Sequence, residues 1–272
     1  MLCYMHPRLG SLLPTYIFAE REDAIPNVKF CWLSRCYFDP TRMSSCGYSV
    51  VKMNWWKTLF TDLSVPLEVI YDGFDKKSTR YPIRRAEQIL QSNPIWQIEP
   101  PGEHRTADDV VIADFYNRKS IEKMTVEILR HSVTRPNWLS SRVLYGGDVV
   151  LVRTYICDRD AGIVRSLYAV TKEVSSEIKP DLGHLSRMLC WVDIQHFKKE
   201  GYRLYDWGGI SKHGELAGID SFKKSFGGKP AIIYDALICK KPLAPVLRAL
   251  WRLRFGRYPE VERYIPDDET AS

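Results

Sequence analysis

The segment from Gly201 to Cys239 constrains what this chain can fold into more than any other stretch. It reads Gly201-Tyr-Arg-Leu-Tyr-Asp-Trp-Gly-Gly-Ile210, then Gly218-Ile-Asp-Ser-Phe-Lys-Lys-Ser-Phe-Gly-Gly-Lys-Pro230, then the apolar run Ala231 to Cys239. The pattern predicts a strand, a glycine break, a lysine-bearing helix closed by paired glycines, and a second strand. Tyr202, Leu204 and the body of Tyr205 can face a core, while Asp206 falls where the strand ends. Carboxyl ends of strands in α/β sheets border the ligand crevice, and the glycines after Asp206 let a ligand approach the backbone. Asp206 is therefore a candidate catalytic or binding carboxylate, with a plain turn as the competing reading.

At 272 residues the chain can hold one large domain or two small ones, each with a real core. No run approaches the roughly 20 uninterrupted apolar residues of a membrane span. The stretch Met1 to Pro14 lacks a basic leader and a small-residue cleavage site, so no secretory signal is expected. Seven cysteines, an odd number without paired close spacing, suit reduced and mostly buried thiols in the cytoplasm, and no metal site is expected. The formal charge of +6 suits an anionic small ligand, a phospholipid surface or nucleic acid, and selects none of them.

The order of elements predicts an α/β (α+β) fold with a mixed, mostly antiparallel sheet and helices on both faces. In the first half, Asn27 to Leu33 and Leu67 to Tyr71 read as short strands, and Ser78-Thr-Arg-Tyr-Pro-Ile-Arg-Arg-Ala-Glu-Gln-Ile-Leu90 as a helix capped by Ser78, with Pro82 in its first turn. Ile95 to Ile98 reads as a strand and Thr106 to Val133 as largely helical. Val143 to Tyr145, Val149 to Cys157 and Ile163 to Val170 follow as antiparallel strands, with Gly146-Gly147-Asp148 as a hairpin turn. A helix from about Leu185 to Lys199 ends at Gly201. The expected partition is residues 1–133, a partly degenerate half, residues 134–239, the core, and residues 240–272, a basic amphipathic segment.

With these motifs in this order, the chain resembles the Fem-like branch of the GNAT acyltransferase superfamily. Ser78-Thr-Arg-Tyr-Pro-Ile-Arg-Arg-Ala-Glu87 is similar to that branch's basic STR-x-x-IR-x-AE helix. Gly201 to Gly209 is similar to its G-x-x-x-YD-x-GG strand and turn, and Phe222-Lys-Lys-Ser-Phe-Gly-Gly228 to its FK-x-x-FGG helix end. The resemblance spans Asp75 to Cys239. It implies a GNAT-like fold and an amide-forming acyltransferase without a covalent intermediate or a tightly bound cofactor. The implied reaction passes an acyl group from acyl-CoA to the amino group of a nucleotide-linked amino sugar in bacterial surface-glycan synthesis. The alternatives are a Fem-like aminoacyl transferase that uses charged tRNA and a peptidoglycan precursor, and a non-catalytic binding module. Two departures stand out. The chain is short for two full GNAT-type units with a helical arm, and the pyrophosphate-binding glycine signature is missing between Val170 and Leu185. Coenzyme A thus follows from the resemblance alone.

Candidate site residues follow from the chemistry. Asp206 can accept the amine proton or orient the amine, and His184 is an alternative base because imidazole titrates near neutrality; a helix-capping or surface role competes for His184. His213 is a weaker candidate. Gly183, Ser186 and Arg187, with His184, are expected in the first turn of their helix, where backbone amides can cradle a phosphate. Arg80, Arg84 and Arg85 stand near a helix start and suit an anionic ligand, with ion pairs to Glu87 or Asp75 as the competing reading. One of Lys223 and Lys224 is expected to reach the ligand, with Lys223 assigned to it. Tyr205 and Trp207 can stack on a sugar or base, although alternating aromatics on a strand usually belong to a core. The stretch from Lys240 to Arg257 reads as a basic amphipathic helix, docked on its own sheet or lying on an anionic membrane. No DNA partner is expected, the location is cytoplasmic with peripheral inner-membrane contact open, and a homodimer is left open.

Overall fold

The computed structural model describes residues 1–5, 14–121, 123–132, 134–211 and 216–264. In chain order the strands are β1 (Leu2–Met5), β2 (Pro14–Ile17), β3 (Phe30–Cys36), β4 (Tyr48–Asp62), β5 (Trp96–Glu103), β6 (Trp138–Tyr145), β7 (Asp148–Asp158), β8 (Ile163–Thr171), β9 (Leu204–Ile210) and β10 (Lys229–Lys240). The helices are α1 (Leu67–Asp72), α2 (Tyr81–Ser92), α3 (Thr106–Arg118), α4 (Val126–Arg130), α5 (Lys179–Lys199), α6 (Ala217–Lys224) and α7 (Ala244–Phe255). They form two compact units, Met1–Thr58 with Pro230–Ser272, and Leu59–Lys229. The boundary expected at 133/134 falls inside the second unit, and that at 239/240 inside the first.

In the first unit the strand order is β1-β2-β3-β10-β4. β1 and β2 are antiparallel, β2 and β3 parallel, and β10 runs antiparallel to β3. Cys31, Leu33 and Cys36 of β3 face a core shared with Met53 of β4 and Ala236 and Ile238 of β10. Asp235 ties this unit's strands by accepting from the Ser34 hydroxyl at 3.1 Å, the Arg35 amide at 2.8 Å and the Trp56 indole at 3.0 Å. Charge-assisted bonds of this kind are stronger than neutral ones.

The second unit holds the motifs. Its strand order is β9-β8-β7-β6-β5, with β8 and β9 parallel and the remaining pairs antiparallel. The hairpin between β6 and β7 turns at Gly146 and Gly147, both at positive φ (61° and 87°), the backbone a two-residue hairpin turn of this hand requires. Alternation along the strands separates two faces. Val143, Leu151, Tyr155 and Cys157 pack against α5 and α2 through Leu185, Leu189, Ile194, Phe197 and Ile89. On the other face Arg142 grips α3, giving Nε and Nη bonds to Asp108 at 2.6 and 2.5 Å. Helices therefore cover both faces, as the sequence predicts.

Three local readings need correction. Leu67–Asp72 is helical (α1), not a strand, because Pro66 and Glu68 open a helix and only Ile70 of it is buried. The lead into α2 is a π turn over Lys76–Arg80, and its cap is Asp75. Asp75 accepts from the Lys77 and Ser78 amides at 3.0 and 2.7 Å and from the Ser78 hydroxyl at 2.6 Å, so Ser78 is a donor to the cap. These bonds hold the Asp75 carboxyl below its usual range. The third correction concerns α5, which begins at Lys179, about two turns earlier than predicted. The apolar stripe starts only at Leu182, so hydrophobic periodicity alone places the start too late.

The paired glycines after α6 have a steric cause. Gly227 sits at φ +69°, and a β-carbon there would lie 2.3 Å from the Gly73 carbonyl oxygen. Backbone cannot yield as a flexible side chain can. Gly227→Ala is expected to cost about 2–3 kcal/mol, from left-handed strain plus overpacking, measured as a shifted urea midpoint at unchanged m-value. A change under about 0.5 kcal/mol, the scale of an ordinary surface substitution, would contradict this steric account.

Candidate active site

β8 and β9 pair only through Ile163↔Leu204, Val164↔Tyr205 and Arg165↔Asp206, although β8 runs on to Thr171 and β9 to Ile210. The two strands thus part just past Arg165 and Asp206. On its other edge β8 carries a bulge: Tyr168 pairs with Thr154 and Ser166 with Tyr155, leaving Leu167 as the extra residue. Bulges re-aim side chains and backbone next to functional sites. At the point of parting, a β-carbon at Gly208 (φ +77°) would crowd the Ser166 carbonyl oxygen at 3.0 Å.

Asp206 closes the bottom of this notch. Its relative exposure is 0%. One carboxylate oxygen accepts from the Gly208 amide at 2.8 Å and the other is ion-paired to the Arg165 guanidinium, its cross-strand neighbour. Both oxygens of Asp206, expected to accept the amine proton or to orient the amine, are thus committed within the fold, and the side chain is closed to water. Tyr205 and Trp207 are also reassigned. Both belong to the core, with Trp207 at 1% exposure, packing on Phe226 with ring centroids 4.6 Å apart and donating its indole N–H to Thr61 at 2.9 Å. Neither presents a face to a ligand.

Lys223, by contrast, reaches the notch. It lies near the end of α6, half-buried, and its ammonium donates to the Gly209 carbonyl at 2.6 Å. Burial, reinforced by the positive charges of Arg165 and Arg153, lowers its pKa to about 8. Lys224 is solvent-exposed, so of the two lysines it is Lys223 that α6 turns toward β9.

The basic helix motif meets the same neighbourhood. The end of α6 is bonded to the π turn, where the Asp75 amide donates to the Ser225 carbonyl at 2.8 Å and the Thr79 hydroxyl to the Ser225 hydroxyl at 2.7 Å. Arg187 of α5 donates to the Ser78 carbonyl and, at 3.0 Å, to the Gly183 carbonyl, with its guanidinium 5.2 Å from the Phe222 ring centre. One turn earlier, His184 stands edge-on to Tyr81, centroids 6.4 Å apart, and burial lowers its pKa so that it stays neutral at physiological pH. Arg80 is ion-paired to Asp72 at 3.1 Å, and its Nε is buried without a hydrogen-bond partner among the described residues. Thus the π turn that carries Arg80 meets α5 at Arg187 and α6 at Ser225, while Lys223 of α6 bonds to β9. Arg84 is solvent-exposed on α2, and Arg85 donates to Gln88 at 3.0 Å. His213 lies outside the described residues.

The earlier start of α5 removes one expected feature. Gly183, His184, Ser186 and Arg187 occupy its second and third turns, where amides bond to carbonyls four residues back. The first turn instead carries Lys179, Pro180 and Asp181. Pro180 has no N–H and Asp181 brings a negative charge, so this helix start is a poor phosphate cradle.

Sequence reading missed the charges beneath the site. Arg153 Nε donates to the Tyr155 hydroxyl at 3.0 Å, Tyr155 donates to Asp193, and the Tyr205 hydroxyl donates to that of Tyr155 at 3.1 Å. Burial raises the Asp193 pKa to about 7 against the opposing effect of Arg153. The available signal was a lone charge in an apolar run: Arg153 in Val149 to Cys157, Arg165 in Ile163 to Val170, Asp193 between Val192 and Ile194. A second polar line, Ser140–His104–Asp109, has the order of a serine hydrolase relay at 2.6 and 2.8 Å. Ser140 is fully buried and shared with Thr154, and Arg135 grips Asp109 with two bonds, so the line braces α3 against the sheet.

No protein-family model and no curated protein matches the sequence. Among solved structures, the crystal structure of FemX superposes with a TM-score of 0.61 at 10% identity, covering 90% of this chain and 85% of that one. L-PGS from Bacillus licheniformis aligns with a TM-score of 0.46 at 14% identity over 85% of this chain and 74% of its own. A GCN5-related N-acetyltransferase from Kribbella flavida aligns with a TM-score of 0.37 at 12% identity over 78% and 68%. The chain is thus similar in fold to FemX, a GNAT-like mixed sheet with helices on both faces.

Proposed function

We propose that this chain is a transferase that forms an amide by moving an acyl or aminoacyl group from an activated ester to an amine, with the reacting carbonyl at the parting of β8 and β9. The observation that carries this reading is Lys223, a half-buried ammonium held at the notch by the Gly209 carbonyl with its pKa brought down to about 8. The amine nitrogen attacks the carbonyl carbon, and the carbonyl oxygen takes up negative charge. The C–N bond forms, the C–O or C–S bond of the donor breaks, and the amine proton leaves as the departing group takes up a proton. Lys223 has N–H donors beyond the one given to Gly209, and a desolvated cation aimed at developing charge is worth more than one in water. Neutral His184 accepts the amine proton, directly or through water. Arg80 and Arg187 hold the anionic part of a substrate.

Two donors fit this chemistry. Acyl-CoA, acting on a nucleotide-linked amino sugar, is the reading the sequence resemblance favours. The proline and aspartate in the first turn of α5 favour the other, an aminoacyl ester carried by tRNA and passed to a lipid-linked peptidoglycan precursor, because that donor needs no pyrophosphate cradle there. The fold similarity to FemX is compatible with both. Purified protein offered acyl-CoA with amino sugar nucleotides, and separately charged tRNA with the precursor, is expected to form a new amide detectable by mass spectrometry in one arm. Absence of product in both arms from a folded protein would overturn the proposal.

A further inference from the structure

Helix α7 carries two apolar stripes, and its own fold uses only one. Ala244 is buried, and Leu247 and Trp251 pack beside it against Val51, Leu237 and Cys239. That stripe docks the helix on its own sheet. Val246, Leu250 and Leu253, spaced four and three residues apart, form a second stripe turned to solvent, 57%, 54% and 83% exposed. Phe255 and Tyr258 extend the exposed apolar surface beyond it.

Along α7 itself the charge has one sign. From Lys240 to Pro259 the sequence carries Lys240, Lys241, Arg248, Arg252, Arg254 and Arg257 and no carboxylate; the next residue, Glu260, pairs with Arg257 at 3.9 Å. At 100° per residue Arg252 and Arg254 fall on opposite flanks of the Val246–Leu253 stripe. Solvated aliphatic side chains bordered by an excess of cations match an anionic lipid surface on both counts: the stripe enters the headgroup boundary and the guanidiniums meet lipid phosphates.

We infer that the exposed face of α7 lies on a membrane surface rich in anionic lipid. An RNA partner would use the cations but leave the aliphatic stripe without a role, since single-stranded nucleic acid is held by cations and aromatic platforms. A second copy of this chain would bury the stripe but bring two all-basic segments together, which like-charge repulsion opposes. This placement stands independently of the transfer chemistry.

The test is flotation of the full chain with vesicles of phosphatidylcholine alone and of phosphatidylcholine with phosphatidylglycerol, across a salt series. Binding is expected only to the anionic vesicles and to weaken as salt rises. Leu250→Glu with Leu253→Glu is expected to cut partitioning by about tenfold or more, with an unchanged thermal midpoint because both side chains are solvated. Arg252→Gln with Arg254→Gln and Arg257→Gln is expected to weaken binding and flatten its salt dependence. The inference is overturned if wild type ignores the anionic vesicles, or if the double leucine variant binds them as tightly. It is equally overturned if light scattering finds a dimer that the leucine variant splits while vesicle binding stays the same. RNA binding in place of vesicle binding, retained by the leucine variant, also overturns it.

Discussion

Lys223→Met is expected to lower the transfer rate by about 10²–10³-fold, the size of the loss when one preorganised donor to a developing oxyanion is removed, while leaving the fold at least as stable as wild type. The two halves of that expectation have one cause. The Lys223 pKa is lowered to about 8 from 10.5 by burial and by Arg165 and Arg153. At pH 7 the side chain is charged in both folded and unfolded states, so the folded protein bears the desolvation penalty in full. Between pH 8 and 10.5 the folded form gives up its proton before the unfolded form does. The unfolded state then binds more protons, and stability rises with pH across that window. The methionine variant lacks this rise, so the stability difference between the two proteins shrinks from pH 8 to 10.5. Activity moves the other way. A cation with pKa near 8 yields a rate that falls above that pH, and Lys223→Arg, charged throughout, moves the falling limb out of range. The pair of measurements separates a working lysine from a structural one. A variant that loses stability and keeps its rate would reverse the assignment.

The site was only partly legible in the sequence. Short motifs record backbone requirements well. The glycines at 208 and 227 appear in the sequence because a β-carbon would meet the Ser166 carbonyl at the one and the Gly73 carbonyl at the other. The Ser78–Arg80 and Phe222–Gly228 stretches mark two segments that bond to each other through Asp75, Thr79 and Ser225. Hydrophobic periodicity likewise placed β7, β8 and the body of α5, but only the last three residues of β6, which begins at Trp138. It did not reach the start of α5, where Lys179 to Asp181 is polar and helix-compatible. Nor did it tell a strand from a single helical turn at Leu67–Asp72, where six residues carry too few periods to decide. Burial of charge was the least legible property. Nothing local in Tyr205-Asp206-Trp207 reveals that Arg165, forty-one residues earlier, stands across from the aspartate. Register is a tertiary fact, and the partner of a buried carboxylate is set by register.

Asp206→Ala is accordingly expected to cost stability before it costs chemistry. Asp206 is fully buried and Arg165 is 8% exposed, so removing the carboxylate strands a guanidinium in low dielectric. Breaking one side of such a pair costs about 3–5 kcal/mol, far more than the pair's net worth. The Gly208 amide would also lose its 2.8 Å acceptor at the point where the strands part. Asp206→Asn keeps an oxygen for that amide and sheds only the charge, so its cost should be the smaller of the two. Adding Arg165→Met to Asp206→Ala removes the stranded cation, and the double variant should recover part of the loss, a coupling visible in a double-mutant cycle by denaturant unfolding. A general base would leave another signature. Asp206→Asn and Asp206→Ala would then abolish transfer at wild-type stability, and Arg165→Met would rescue neither. Additive stability costs in the cycle, with the aspartate variants as stable as wild type, would return Asp206 to the reacting atoms and displace Lys223 from the centre of the site.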